Sequence, residues 1–208
     1  MPTPTWDRLP ATRRDAVVAA AEAEFGQKGF SRGSLNVIAR EAGVAKGSLF
    51  QYFDDKLDLF AHLSELASVR IGAAMAKYNA PLPWVDDYWG ALGMSMQAWV
   101  AHFRDHPVDL ALTAAVNLEP DTEARVAVRA AVNRYYLSGL HNLIDRGVSV
   151  GAVRRDADHE AFLALMLLVL PHLALAANPP GLDPVLGLHD DPTSGIDRIV
   201  ATCRLAFG

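Results

Sequence analysis

The chain has 208 residues, 51% apolar and 21% charged, with 19 Lys and Arg against 24 Asp and Glu for a formal charge of −5. That suits one medium domain or a small domain beside a larger one, and fits neither wholesale disorder nor an integral membrane protein. Cys203 is the one cysteine, which removes disulfide frameworks and multi-cysteine metal sites and agrees with a reducing cytoplasm. The acidity is uneven. Residues 1–60 carry eight basic and eight acidic side chains, so the first quarter can still turn a basic face to phosphate.

Residues 1–10 hold no apolar signal core and read as a flexible arm. Val17, Ala20, Ala21 and Phe25 recur at helical spacing and Gly29-Phe30 supplies a left-handed stop, which predicts a helix over about 11–28. Ser34 can cap a short second helix with Leu35, Ile38, Ala39 and Ala42 on one face, closed by Gly43. A third short helix carries Leu49 and Phe53 one turn apart. Asp54 can then cap a fourth with Leu57, Phe60 and Ala61 inward. Beyond it, prolines and glycines separate helical segments at 55–79, 84–105, 108–117, 121–146, 157–177 and 195–206. No alternating strand run appears. The expected fold is all-α: the arm, an amino-terminal three-helix helix-turn-helix domain over 11–56, and a larger helical domain over 57–208. The 178–194 loop is long for a compact domain and is either a mobile excursion or part of a partner contact. The apolar run 161–177 is short for a membrane span and is interrupted by Pro171 and His172, so it reads as a core or interface helix.

Two short helices joined by Ala42-Gly43-Val44, the second opening on Lys46-Gly47-Ser48, have the length and punctuation of a helix-turn-helix. Lys46, Gly47, Ser48, Gln51 and Tyr52 project away from Leu49 and Phe53 and suit a major groove. Lys46 and Lys56 offer charge to phosphates, Tyr52 a hydroxyl, and Gly47 close backbone approach. Gln51 and Arg40 can read adenine and guanine edges, with Ser48 at shorter reach.

The stretch Ile38-Ala39-Arg40-Glu41-Ala42-Gly43-Val44-Ala45-Lys46-Gly47-Ser48-Leu49-Phe50-Gln51-Tyr52-Phe53 with Lys56 and Leu59, preceded by Ala20-Ala21, Phe25 and Gly29-Phe30, closely resembles the TetR-family transcriptional regulators. The resemblance covers about a quarter of the chain and implies phosphate contacts from Ser34, Lys46, Tyr52 and Lys56. This sequence departs from the family pattern at Ala45, where serine is common, and at Phe50, where tyrosine is more usual, so two hydroxyls are missing. The resemblance also implies a carboxy-terminal helical domain that dimerises, encloses an effector pocket and changes the spacing of two reading heads.

For that pocket the candidates are Trp84, Tyr88, Trp89, Met94, Met96, Trp99 and Phe103, facing Tyr135, Tyr136 and His141, a lining suited to a hydrophobic or flat aromatic ligand. For the dimer, Phe162, Leu165, Met166 and Val169 pair with Ile196, Ile199, Val200 and Cys203, because the first of the two helices is apolar on nearly all sides. His102 and His106, with Asp105 and Asp109, have a metal-like spacing that Pro107 spoils. There is no phosphate loop, nucleophile elbow or zinc motif. The expectation is a cytoplasmic, homodimeric, ligand-responsive repressor of a double-stranded operator, not an enzyme, with no cofactor, metal or membrane partner. The alternative is an effector-binding helical protein whose head acts through a protein partner.

Overall fold

The structure, a computed structural model, describes residues 2–178 and 181–208. Among these residues there are ten helices and no strand. They are α1 (Pro4–Asp7), α2 (Ala11–Arg32), α3 (Leu35–Glu41), α4 (Lys46–Tyr52), α5 (Lys56–Asn79), α6 (Tyr88–Asp105), α7 (Pro107–Asn117), α8 (Thr122–Ser149), α9 (His159–Ala176) and α10 (Pro192–Phe207). The chain forms two compact units. The first takes the chain up to Val69 together with Val108–Asn133, and the second takes Arg70–Pro107 and Arg134–Gly208. The units therefore do not follow chain order, because α7 and the first part of α8 return to the amino-terminal one.

In the first unit the helical repeat of α2 buries Val17, Ala21 and Phe25 completely, and Ile38, Leu49, Phe53, Leu59, Phe60 and Leu63 complete the core with Leu112 and Val128. Phe60 stands 5.1 Å from Phe25 and 5.6 Å from Phe30, ring centroid to centroid. Residues 4–7, expected within a flexible arm, instead form one helical turn whose Trp6 is buried against Phe53 at 4.9 Å and His62 at 5.7 Å. The Thr3 amide and hydroxyl donate to the Tyr52 and Gln51 carbonyls at 2.9 and 2.5 Å. A single large indole is enough to fix this segment, since a Trp buries some 150–250 Å².

In the second unit α6 packs on α9 and α10. Phe162 of α9 lies 6.0 Å from Trp89 and stacks at 4.6 Å on Phe207 of α10. Asp87, Asp158 and Asp191 cap α6, α9 and α10, each accepting an amide three residues on, which satisfies one otherwise unpaired donor per helix. Residues 84–86 are turn and Asp87 is the cap, so α6 starts later than its sequence pattern suggests. By length and apolarity α9 could cross a membrane, with a mean hydropathy of 1.7. One face, from Phe162 through Met166 to Leu173, is nevertheless buried within the unit.

The long loop before α10 has internal order. Asp183 accepts amides from Leu186, Leu188 and Val185 at 2.9–3.0 Å, which holds its carboxyl down at about 2. Leu188 is wholly buried. Residues 179 and 180, which belong to the same loop, lie outside the described residues.

Candidate functional site

The turn between α3 and α4 is fixed by Gly43, whose φ of 65° suits a residue without a Cβ. The Gly43 amide donates to the Arg40 carbonyl and the Val44 amide to the Ala39 carbonyl, at 3.1 and 2.9 Å. This paired closure ends α3 cleanly and sets the direction in which α4 leaves. Leu49 then turns inward, while Lys46, Gly47, Phe50 and Gln51 are exposed and Ser48 is half-buried. A Cβ built on Gly47 meets nothing within 4 Å, so nothing inside the protein requires a glycine there.

Three expected DNA contacts sit differently. Tyr52 turns its ring inward, only 6% exposed and 5.9 Å from Trp6; the added helix α1, unseen in the sequence pattern, covers it. The Lys56 ammonium donates to the Phe30 carbonyl at 2.8 Å and to Ser31 and Gly33 at 3.4 Å, and lies 4.3 Å over the Phe30 ring. It therefore caps the end of α2 rather than standing free for phosphate. Ser34 precedes α3 without a side-chain capping bond; its amide donates instead to Glu24 Oε1 at 3.0 Å. Arg40 is exposed but lies against Glu41 at 2.8 Å, 71% and 57% exposed respectively, a pairing weak enough for a base edge to displace.

The segment that leads into the helix-turn-helix is gripped from two sides. Gly29, at φ 69°, breaks α2. Beyond it the Phe30 and Ser31 amides donate to Glu119 Oε2 at 2.9 and 3.2 Å, and the Ser31 hydroxyl donates to Oε1. Glu119 also accepts the Asp121 amide at 3.1 Å at the start of α8. Burial pushes the Glu119 carboxyl up, but hydrogen bonds from the Ser31 side chain and the Asp121, Ser31 and Phe30 backbone outweigh it and hold the group below its ordinary value. Carboxylate and ammonium thus satisfy opposite polarities of one short stretch. Sequence reading missed Glu119, which is 88 residues away in the chain.

The second unit holds a cavity of about 280 Å³ between α5, α6, α8 and α9. Of the expected lining, Met96, Trp99, Tyr135 and Tyr136 are there. Trp84, Tyr88, Trp89 and Phe103 are core instead. Their polar ends are tied down, Trp84 Nε1 on the Asn79 carbonyl at 2.8 Å, Tyr88 on Leu143 at 3.3 Å and Trp89 Nε1 on Ala152 at 3.2 Å. Burial drives the Tyr88 hydroxyl far above its ordinary pKa. His141 is exposed and bound to the Leu137 carbonyl. Met94 lines a separate shallow groove between α6 and α10.

The expected dimer residues divide. Phe162, Met166, Ile196 and Cys203 are buried within the chain, and Met166 lines the cavity. Val169, Ile199 and Val200 are half-buried, whereas Leu165 stands out at 41% exposure, as do two leucines outside the expected set, Leu168 at 70% and Leu205 at 85%. His102 and His106 stack at 4.2 Å, and among the described residues no three His, Cys, Asp or Glu side chains converge on a metal position.

Fold and site together define a helix-turn-helix protein whose remaining helices include a ligand-sized cavity. Residues 17–63 match the profile of the tetR family of bacterial regulatory proteins. The chain is 39% identical over 70 residues to the HTH-type transcriptional regulator AcrR of Shigella flexneri, covering 34% of this chain and 33% of that one. It is 33% identical over 76 residues to the HTH-type transcriptional repressor BepR of Brucella suis, covering 35% and 36%. The matches span about a third of the length of these two relatives. Along 92% of this chain and 97% of the other, the fold resembles that of the FadR regulator of Bacillus subtilis, solved with stearoyl-CoA, at a TM-score of 0.68 and 17% identity.

Proposed function

We propose that the protein is a cytoplasmic, homodimeric transcriptional repressor that reads a near-palindromic operator through two copies of residues 34–53 and releases it when a small effector enters the second unit. The observation that carries this is the outward face of α4, with Lys46, Gly47, Ser48 and Gln51 presented on a helix whose start is fixed by the Gly43 turn. Lys46 contacts phosphate, while Gln51 and Arg40 read base edges. The names of the relatives support a regulator, and BepR's a repressor. Outward Leu165, Leu168 and Leu205 are the surface we assign to the second copy, whose two-fold symmetry sets the half-site spacing. Effector binding acts by its difference in affinity between the DNA-bound and free states.

The test is fluorescence anisotropy against duplexes tiling the DNA upstream of the gene, at two salt concentrations. One saturable, salt-sensitive duplex supports the reading. Uniform weak binding sinks it. The exposed Phe50, at 49%, favours one alternative, a head that contacts a protein partner, and that head would show no steep salt dependence.

A further inference from the structure

We infer that the cavity of the second unit takes a small, uncharged, flat ligand that carries a hydrogen-bond donor, recognised by the amide oxygen of Asn79. This rests on the effector reading above and names the ligand class of that site.

Size and charge come first. At about 280 Å³ the cavity lies just below the ~300–1,000 Å³ range of small-molecule sites. None of the residues lining it carries a charge at neutral pH, and Met75, Leu92, Met96, Leu140, Met166 and Leu170 give it an apolar wall. Its mouth is open at Gly72, Ala76, Tyr135 and Gly139, all exposed, but a charge seated against the apolar wall gives up hydration there without meeting a counter-charge. The CoA portion of an acyl-CoA, with its phosphates, has no counter-charge here.

Shape and polarity narrow the class further. Trp99 is a rigid side of the cavity, edge-on to Phe103 at 4.9 Å and Tyr136 at 5.8 Å. Its indole N–H is already used, on the Leu170 carbonyl at 2.7 Å, so its ring offers a face and not a donor. Asn79 lines the same cavity, and its Oδ1 is buried with no hydrogen-bond partner, the one such side-chain atom among the described residues. Buried polar atoms are rarely left so, and an orphan acceptor beside a cavity calls for a donor from what fills it. Space is also preserved. Gly72 and Gly139 line the cavity from inside α5 and α8, where glycine disfavours the helix, and a Cβ on either meets nothing within 4 Å.

Equilibrium dialysis of the full-length protein against a matched series tests this: naphthalene, 2-naphthol and 2-naphthoate, which share a ring system and differ in donor and charge. The expected order places 2-naphthol about three- to tenfold tighter than naphthalene, the worth of one neutral hydrogen bond, and 2-naphthoate roughly 100-fold weaker than 2-naphthol. Asn79→Leu removes the acceptor at similar volume and brings 2-naphthol and naphthalene level. Gly139→Leu, placed in open space, abolishes binding of both while its urea midpoint stays at or above that of the parent. The inference is overturned if 2-naphthoate matches 2-naphthol, if stearoyl-CoA out-competes it, if the Asn79 variant keeps the preference, if Gly139→Leu still binds, or if no probe binds. Should the series bind as stated while 2-naphthol leaves operator affinity unchanged, the ligand class stands and the effector reading falls.

Discussion

The entry to the helix-turn-helix and the cavity of the second unit handle polar groups in opposite ways. Around residues 29–34, amides, carbonyls and a hydroxyl are met by Glu119, Glu24 and Lys56. In the cavity wall an acceptor is left without a partner and two helical glycines leave room. On the proposed function, a surface that must match DNA over several contacts gains from a fixed backbone, because each misplaced contact is lost. A site that must admit a ligand gains from what packing leaves open.

The sharpest way to break the contrast is to remove the grip on the head. Glu119→Ala leaves the Phe30 and Ser31 donors in a poorly hydrated site, and we expect a loss of about 3 kcal/mol in urea unfolding together with faster amide exchange at residues 30 and 31. Glu119→Gln, which keeps an acceptor, should lose about half as much. The sign with pH is fixed by the depressed carboxyl. Its contribution is present above the ordinary value of 4.5 and is lost as pH falls through the lower folded-state value. An unchanged acid limb in Glu119→Ala would show that the grip contributes nothing.

Next in size is the cover over α4. Trp6→Ala should remove about 2–3 kcal/mol and expose Tyr52, read from the unfolding midpoint and tyrosine fluorescence. His62, beside Trp6 and Phe53, adds a pH signature. Burial lowers its pKa against the opposing pull of Glu65 and Asp58, so its share of stability is present above 6.5 and lost on acidification. Smaller again is the difference between two expected phosphate contacts. Lys46→Ala should weaken operator binding by about 1 kcal/mol and lower the salt slope by about one, whereas Tyr52→Phe, whose ring faces inward, should leave that slope unchanged. Equal losses from both would return Tyr52 to the DNA face.

The head was legible because its signals are local. Gly43, the spacing of Ile38, Leu49 and Phe53, and the run Lys46-Gly47-Ser48 each act within a few residues, and the structure forms the helices they predict. What was hidden depended on distant partners. Lys56 reads as a free cation until the end of α2 is placed against it. Phe162 and Met166 read as interface because a helix apolar on most sides does not say which neighbour covers which side, and α6, α10 and the cavity claim them first. The aromatic cluster divided for the same reason: Trp84, Tyr88 and Trp89 are packed into the core, whereas Trp99, Tyr135 and Tyr136 keep a side toward the cavity, and spacing along the helices does not tell the two groups apart.

The smallest effect discriminates best between a helix kept for stability and one kept for DNA. Gly47 lies in the first turn of α4 with nothing near its missing Cβ, so Gly47→Ala should stabilise the fold by about 0.5 kcal/mol through helix propensity and a less flexible unfolded chain. If α4 approaches DNA closely there, the added methyl should at the same time reduce operator affinity several-fold. Gly43→Ala makes the control, since its positive φ predicts a stability loss of about 1 kcal/mol. A Gly47→Ala protein that melts higher and binds its operator as well as the parent would move the close approach elsewhere on the head, and would leave Lys46 and Gln51 to carry the contact alone.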